Sequence, residues 1–317
     1  MQWKKPTYLH HNIWISDGFD LELANRTGTY IINEQDLTIV ETGPSPSAAR
    51  IKKSLDHLNR RTEEVKHIIV THIHLDHAGG AGLFLKDCPN ASVHAHPKAA
   101  RHLNDPQRLI QGAKAVYGDK FDKLFEPIIP IPENKITIQE DESVLTLSSG
   151  RTLTFIDTPG HANHHHSIFD SESRGIFSGD TIGIQYADAA AWNKELYLPS
   201  TSPNQFNPDQ MLDSLRRIEK LEPSYVYFGH YGETTNVIEL KKQLQHWLAV
   251  FLEEGRRIFQ QNGDYLQLAE ILENRVLREK QLEAVPEEDP LRRIIKLDME
   301  VSSMGIIDYL KKHSSSK

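Results

Sequence analysis

The stretch Thr71-His72-Ile73-His74-Leu75-Asp76-His77-Ala78-Gly79-Gly80 constrains this chain more than any other. It places the metal-binding side chains His72, His74, Asp76 and His77 directly after an apolar run, Val65 to Val70. In an extended segment alternate residues share a face, so His72 and His74 can grip one ion while the turn that follows aims Asp76 and His77 at a second. The run before the cluster has strand composition and the glycines after it turn the chain toward a helix, giving strand, loaded loop, helix. A merely solvated histidine-rich loop would need neither flank.

Further apolar runs end the same way. Leu153 to Ile156 leads through Asp157-Thr158-Pro159-Gly160 to His161, Gly175 to Phe177 leads to Asp180, and Tyr225 to Phe228 leads to His230. Strands in layered sheets that expose the same end would bring these loops to one point. Imidazole and carboxylate suit zinc, iron or manganese, and no thiolate is offered. The single cysteine, Cys88, cannot form an internal disulfide and reads as a small core residue. His94 and His96 read as ordinary polar positions on a strand, and His10 and His11 carry no motif. Of His164, His165 and His166, at least two read as surface or structural residues, and one as a contact to the ligands or the substrate.

The rest of the chain supplies the scaffold. Strand-like runs cover His11 to Ser16, Gly28 to Asn33 and Leu37 to Glu41, and a helix carrying Ile51, Leu55 and Leu58 follows, capped by Ser45 or Ser47. Ser92 to His96 reads as a strand, Pro97 as the start of a helix to Leu103, and Asp105 to Phe125 as helical. Lys135 to Gln139, Val144 to Leu147, Leu153 to Ile156 and Gly175 to Phe177 suggest a second sheet. Asn207 and Pro208 open a helix with Met211, Leu212, Leu215, Ile218 and Leu221 on its buried face. Past Glu233 only helical patterns remain, over 237–261, 265–280 and 291–310, with a break near Gly255, a loop around Pro286 to Pro290 and a Ser-Ser-Ser-Lys tail expected to be disordered. The expected division is a catalytic domain over 1–235 and a helical subdomain over 236–317.

Composition narrows the partners. With 44 acidic against 36 basic residues the net charge is −8, so the field repels polyanions and nucleic acid is not an expected partner. No apolar stretch approaches the roughly 20 residues that span a bilayer, and the N-terminus lacks the pattern of a secretory signal. A cytoplasmic protein acting on a small molecule, with no membrane partner, is the expectation; a homodimer stays open.

The motif His72-x-His74-x-Asp76-His77 resembles the signature of the metallo-β-lactamase-fold hydrolases, and Thr158-Pro159-Gly160-His161, Ser178-Gly179-Asp180-Thr181 and Gly229-His230 resemble that family's later ligand motifs in the expected order. The resemblance implies a four-layered αβ/βα sandwich, here followed by a helical C-terminal subdomain. It also implies that His72, His74 and His161 hold one metal, that Asp76, His77 and His230 hold the other, and that Asp180 bridges them. Glu41-Thr42-Gly43 stands where the family often has Asp-Thr-Gly, so Glu41 reads equally as a support for the site or as part of a turn.

Two divalent metals, zinc first and iron or manganese as alternatives, imply hydrolysis by a hydroxide that bridges them, with Asp76 and Asp180 as the carboxylates nearest the chemistry. Thioesters, lactones and other esters of a small molecule are the expected substrates, with the family's glyoxalase-type thioesterases and lactonases as models. The lactonases commonly carry a tyrosine three positions after the bridging aspartate, where this chain has Gly183; Tyr186, Trp192 and Tyr197 are the nearby aromatic substitutes. An iron-dependent oxidoreductase of the same fold and a β-lactamase-type amide hydrolase are the alternatives. The helical part, which offers no ligand, is expected to wall the substrate pocket, and a chain ended near Leu240 to keep its metals.

Overall fold

Alternation explains the first sheet. In Gly28–Ile32 (β3) and Leu37–Val40 (β4), Ile31 and Ile39 point to one face while Tyr30, Ile32 and Val40 point to the other, and all are buried. A strand apolar on both faces needs cover on both. Helices cover one face, and a second sheet covers the other.

The computed structural model describes residues 2–314. The first sheet has the order β1-β2-β3-β4-β5-β6-β7, with the remaining strands Thr7–His10 (β1), Ile13–Asp17 (β2), Val65–Ile69 (β5), Ser92–Ala95 (β6) and Ile136–Ile138 (β7). Its β1 to β4 pairings are antiparallel and its β4 to β7 pairings parallel. Parallel neighbours need crossovers. Ala48–His57 (α1) joins β4 to β5, Leu75–Ala78 (α2) and Ala81–Leu85 (α3) join β5 to β6, and Pro97–Asn104 (α4), Gln107–Tyr117 (α5) and Phe121–Phe125 (α6) precede β7. Ile51, Leu55, Phe84 and Leu103 from these helices pack on Ile31, Ile39, Ile68 and Val93 of the sheet.

The second sheet has the order β15-β14-β11-β10-β9-β8, from Val144–Thr146 (β8), Thr152–Asp157 (β9), His166–Asp170 (β10), Gly175–Gly179 (β11), Tyr225–Phe228 (β14) and Glu233–Thr234 (β15). Phe155, Ile168, Phe177 and Tyr227 interleave with Tyr30, Ile32, Val40 and Ile69 between the sheets. Arg151, just before β9, bonds both carboxylate oxygens of Asp170 at 2.6 Å and reaches Glu34 at 2.9 Å. Burial makes that ion pair strongly dependent on both partners being present.

Chain contacts divide the molecule into two compact units. The first comprises 1–157, 164–179 and 223–235, which include both large sheets; the second comprises 158–163, 180–222 and 236–317. The second unit contains the small hairpin of Ile184–Gln185 (β12) and Tyr197–Leu198 (β13), Pro208–Glu219 (α7), Val237–Gln260 (α8), Tyr265–Glu279 (α9) and Pro290–Ser314 (α10). The architecture is thus the expected α/β one, with two large sheets and a helical C-terminal part. Among the described residues no helix is long and apolar enough to cross a membrane.

Several local expectations need correction. The segment at 135–139 joins the first sheet rather than the second, because its strand β7 pairs in parallel with β6. Strand β10 was not expected at all, since its leading histidine reads as polar, yet His166 is fully buried in it. Neither Ser45 nor Ser47 caps α1: Ser47 donates to the Gly18 carbonyl at 2.8 Å and Ser45 to those of Pro127 and Gly79, at 2.7 and 3.0 Å. Asn207 does cap α7, accepting from the Gln210 amide. Helix α8 runs unbroken through Gly255, because Ile306 of α10 fills the space a side chain there would take. Ser314 closes α10, and the rest of the Ser-Ser-Ser-Lys tail lies outside the described residues.

The inter-sheet layer also holds histidines. His94, 3% exposed, bonds His67 at 3.0 Å and Gln139 at 2.8 Å, and His166 donates Nε2–H to the Val70 carbonyl at 2.8 Å. His96 accepts from the Lys98 amide through Nδ1, which caps α4, and so turns its Nε2–H toward Asp157, 3.1 Å away. Burial pushes His94 down to about 3 and His166 down to about 4, from an ordinary 6.5. Both are therefore neutral in the folded chain and free to charge in the unfolded one. Their contribution to stability is complete above pH 6.5 and drains away as pH falls toward the folded values, by about 3 kcal/mol for His166 alone. The urea midpoint is expected to fall steeply from about pH 6.5 to pH 4.5, and His94→Gln to flatten that slope. Equal slopes for the two proteins would show that the histidine is not neutral by burial.

Candidate metal centre

The loop that leaves β5 is pinned from both sides. The Thr71 amide donates to Glu41 Oε1 at 2.6 Å, and the Thr71 carbonyl accepts from the His166 amide at 2.9 Å. Held extended, the loop presents His72 and His74 together, with His72 Nε2 3.1 Å from His74 Nδ1. The single turn α2 then swings Asp76 and His77 round. Asp76 Oδ2 lies 3.5 Å from His77 Nε2 and 3.6 Å from Nε2 of His230, which stands just past β14. The ligand atoms of Asp76, His77 and His230 all lie within 4.8 Å of one another, a spacing that could hold a metal ion.

The second unit has a pair of its own. His161 Nε2 is 3.7 Å from Asp180 Oδ2, and both residues are buried. Ser200 serves both: its carbonyl faces His161 Nδ1 at 2.9 Å, and its hydroxyl donates to Asp180 Oδ2 at 3.2 Å.

The donor chemistry fits divalent metal. An imidazole offers a lone pair at one nitrogen when its proton is held at the other. His77 Nδ1 donates to Glu41 Oε2 at 2.5 Å, His230 Nδ1 to the Arg26 carbonyl at 3.1 Å, and His161 Nδ1 to the Ser200 carbonyl. Each therefore keeps Nε2 for a ligand. Glu41 is thus a support for the site, not only part of a turn. It is 2% exposed and holds a left-handed backbone with φ of 65°, a strained conformation of the kind that clusters at functional sites.

The histidines after His161 divide between two roles. His166 belongs to β10, whereas His165 stacks against His72 at 5.0 Å and His164 stands edge-on to His74 at 5.6 Å. None of the three is a surface residue. Cys88 is buried, and its thiol is pushed up to about 12 by that burial, which makes it inert.

Sequence reading missed Asp20 and Ser200. Asp20 lies on the loop after β2, 3% exposed, where Phe19, Leu21 and Glu22 all take left-handed φ angles. Burial first and the neighbouring Asp76 carboxylate second push its carboxyl up to about 6. A lone aspartate in a loop carries no spacing signal, and neither does a serine in Pro199-Ser200-Thr201-Ser202.

A family model described as the metallo-beta-lactamase superfamily matches residues 26–230. The chain belongs to that superfamily. Among relatives, it is 24% identical over 229 residues to the probable metallo-hydrolase YqjP of Bacillus subtilis, covering 66% of this chain and 68% of that one. It is 27% identical over 185 residues to an N-acyl homoserine lactonase of Bacillus thuringiensis, covering 57% and 62% respectively. Its fold is similar to that of the archaeal superfamily protein ST1585 from Sulfolobus tokodaii, with a TM-score of 0.66, 20% identity and coverage of 94% and 99%.

Glu41→Gln keeps an acceptor for the Thr71 amide but weakens the hold on His77 Nδ1. Zinc affinity, measured by competition with a chelator, is expected to fall by about tenfold to a hundredfold. Unchanged affinity would reduce Glu41 to backbone support.

Proposed function

We propose that this member of the superfamily is a hydrolase that holds two divalent ions, zinc by preference, and cleaves the ester-type bond of a small molecule. His72, His74 and His161 would hold one ion, Asp76, His77 and His230 the other, with Asp180 between them. The observation that carries this reading is the tautomer control at His77, His161 and His230, whose outer nitrogens all have acceptors. Two bound divalent ions supply an acidified water and a Lewis acid for the carbonyl under attack.

The chain's own residues set the approach. His72, His77, His161, Asp180 and His230 are buried, while His74 and Asp76 are partly exposed. His74 and Asp76, both in the first unit, are therefore the two of these side chains with solvent-facing surface. Asp76 turns one oxygen to the His77 and His230 imidazoles, and its carboxylate is the base nearest an attacking water.

The relative that hydrolyses a homoserine lactone supports an ester-type bond. Position 183 argues for a thioester or open ester ahead of a lactone. Gly183 has φ of 93°, and a Cβ there would lie 2.6 Å from the Leu198 carbonyl oxygen, so no tyrosine fits. Tyr186 gives its hydroxyl proton to Asp298 at 2.7 Å, and Tyr197 is 1% exposed.

Metal analysis of the purified chain, paired with a panel of thioesters, lactones, simple esters, phosphoesters and β-lactams, tests the reading. The expected result is about two ions per chain, hydrolysis of a thioester or ester, and loss of activity with chelator that zinc restores. One tightly held iron with no hydrolysis would sink it. Asp180→Asn is expected to lower the content of both ions and to cut kcat/KM by about two orders of magnitude.

A further inference from the structure

We infer that helix α10 is a structural arm of the metal centre: it seats the segment 200–202 and, through Ser200, fixes the positions of His161 and Asp180. This rests on the reading that those two residues are metal ligands.

The contacts all lie within the second unit. Ser200 meets both ligands: its carbonyl accepts from His161 Nδ1 at 2.9 Å and its hydroxyl donates to Asp180 Oδ2 at 3.2 Å. A shift of Ser200 therefore moves an imidazole and a carboxylate together. The next residue, Thr201, is fully buried and donates to the Ser302 carbonyl of α10 at 2.9 Å. One turn further along α10, Gly305 lies so close that a Cβ there would run into the carbonyl oxygens of Thr201 and Ser202. Only a bare backbone lets the helix come this near.

The other end of the excursion from Asp180 is tied to the same helix. Tyr186 donates to Asp298 Oδ2 at 2.7 Å, and Asp298, 5% exposed, precedes Ser302 by one turn. Asp298, Ser302 and Gly305 follow the spacing i, i+4, i+7 and form one stripe along α10. Helix α8 adds a further clamp through Gln243, which accepts from the Tyr197 amide at 3.2 Å and donates to the Glu195 carbonyl at 3.2 Å. Asp180 thus begins a loop whose far side is held at Tyr186, Tyr197 and Thr201 by the C-terminal helices. Metal ligands tolerate displacements of only about half an ångström, so their supports decide affinity. A chain ended near Leu240 would then lose its grip on metal, the opposite of what the ligand list alone implies.

The test uses the full chain titrated with Co2+ as the probe, following affinity and the visible absorption bands, which report ligand geometry. Ser200→Ala removes the hydroxyl, Ser200→Thr keeps one, Gly305→Ala lifts α10 from the loop, and Leu272→Ala, a cavity in α9, measures what general loss of helical stability does. Ser200→Ala and Gly305→Ala are expected to bind Co2+ about tenfold to a hundredfold more weakly with altered bands, Ser200→Thr to recover most of the loss, and Leu272→Ala to match wild type. If Gly305→Ala does not fold, the Ser200 pair decides. Wild-type affinity and bands in Ser200→Ala, or equal losses in Leu272→Ala, would overturn the inference while leaving the metal centre standing. Failure of the wild-type chain to take up Co2+ would overturn the metal-centre reading, and this inference with it.

Discussion

An imidazole can present only one lone pair, and which nitrogen carries it is decided by what holds the proton on the other. His77, His161 and His230 each have that proton held by an oxygen, from Glu41, Ser200 and Arg26. A carboxylate and two backbone carbonyls thereby set the tautomers before any ion arrives. The rest of the fold exists, from this standpoint, to keep those acceptors still. Glu41 has to sit past the end of β4 in a left-handed turn, Arg26 ahead of β3, and Ser200 under α10.

The sheets supply the stillness. Parallel pairing of β4 with β5 brings Glu41 beside Thr71, so a single carboxylate can hold the loop backbone and the His77 ring at once. The second sheet approaches the same loop from the other side through the His166 amide. Burial of neutral histidines between the sheets is the cost of this closeness. Stability there is bought with deprotonation, and acid works against it.

The helical segment has a different logic. Among the described residues it carries none of the candidate ligands, so sequence reading treats it as a wall for substrate. Its polar and small residues Asp298, Ser302 and Gly305 are spaced along one stripe, and the loop that starts at Asp180 lies on them. Small residues in a helix read as weak propensity when the partner surface is unseen, just as Gly255 reads as a break until Ile306 is found against it.

The sequence alone determined the candidate ligand residues, their order along the chain and most of the strands that carry them, because strand periodicity and the His-x-His-x-Asp-His spacing are local properties of neighbouring residues. It also determined the start of α7 at Asn207 and Pro208, where the cap is made by residues three apart. Tertiary structure alone decided which sheet β7 joins, that His166 begins a buried strand, that Ser45 and Ser47 serve distant carbonyls instead of a helix end, and that Glu41, Ser200 and Asp20 stand beside the ligands. These depend on partners far away in sequence. A hydrogen bond from residue 161 to residue 200, or a helix seated on a glycine 104 positions beyond Thr201, leaves no periodic trace in the chain, since nothing local distinguishes a serine that holds a ligand from one that faces water.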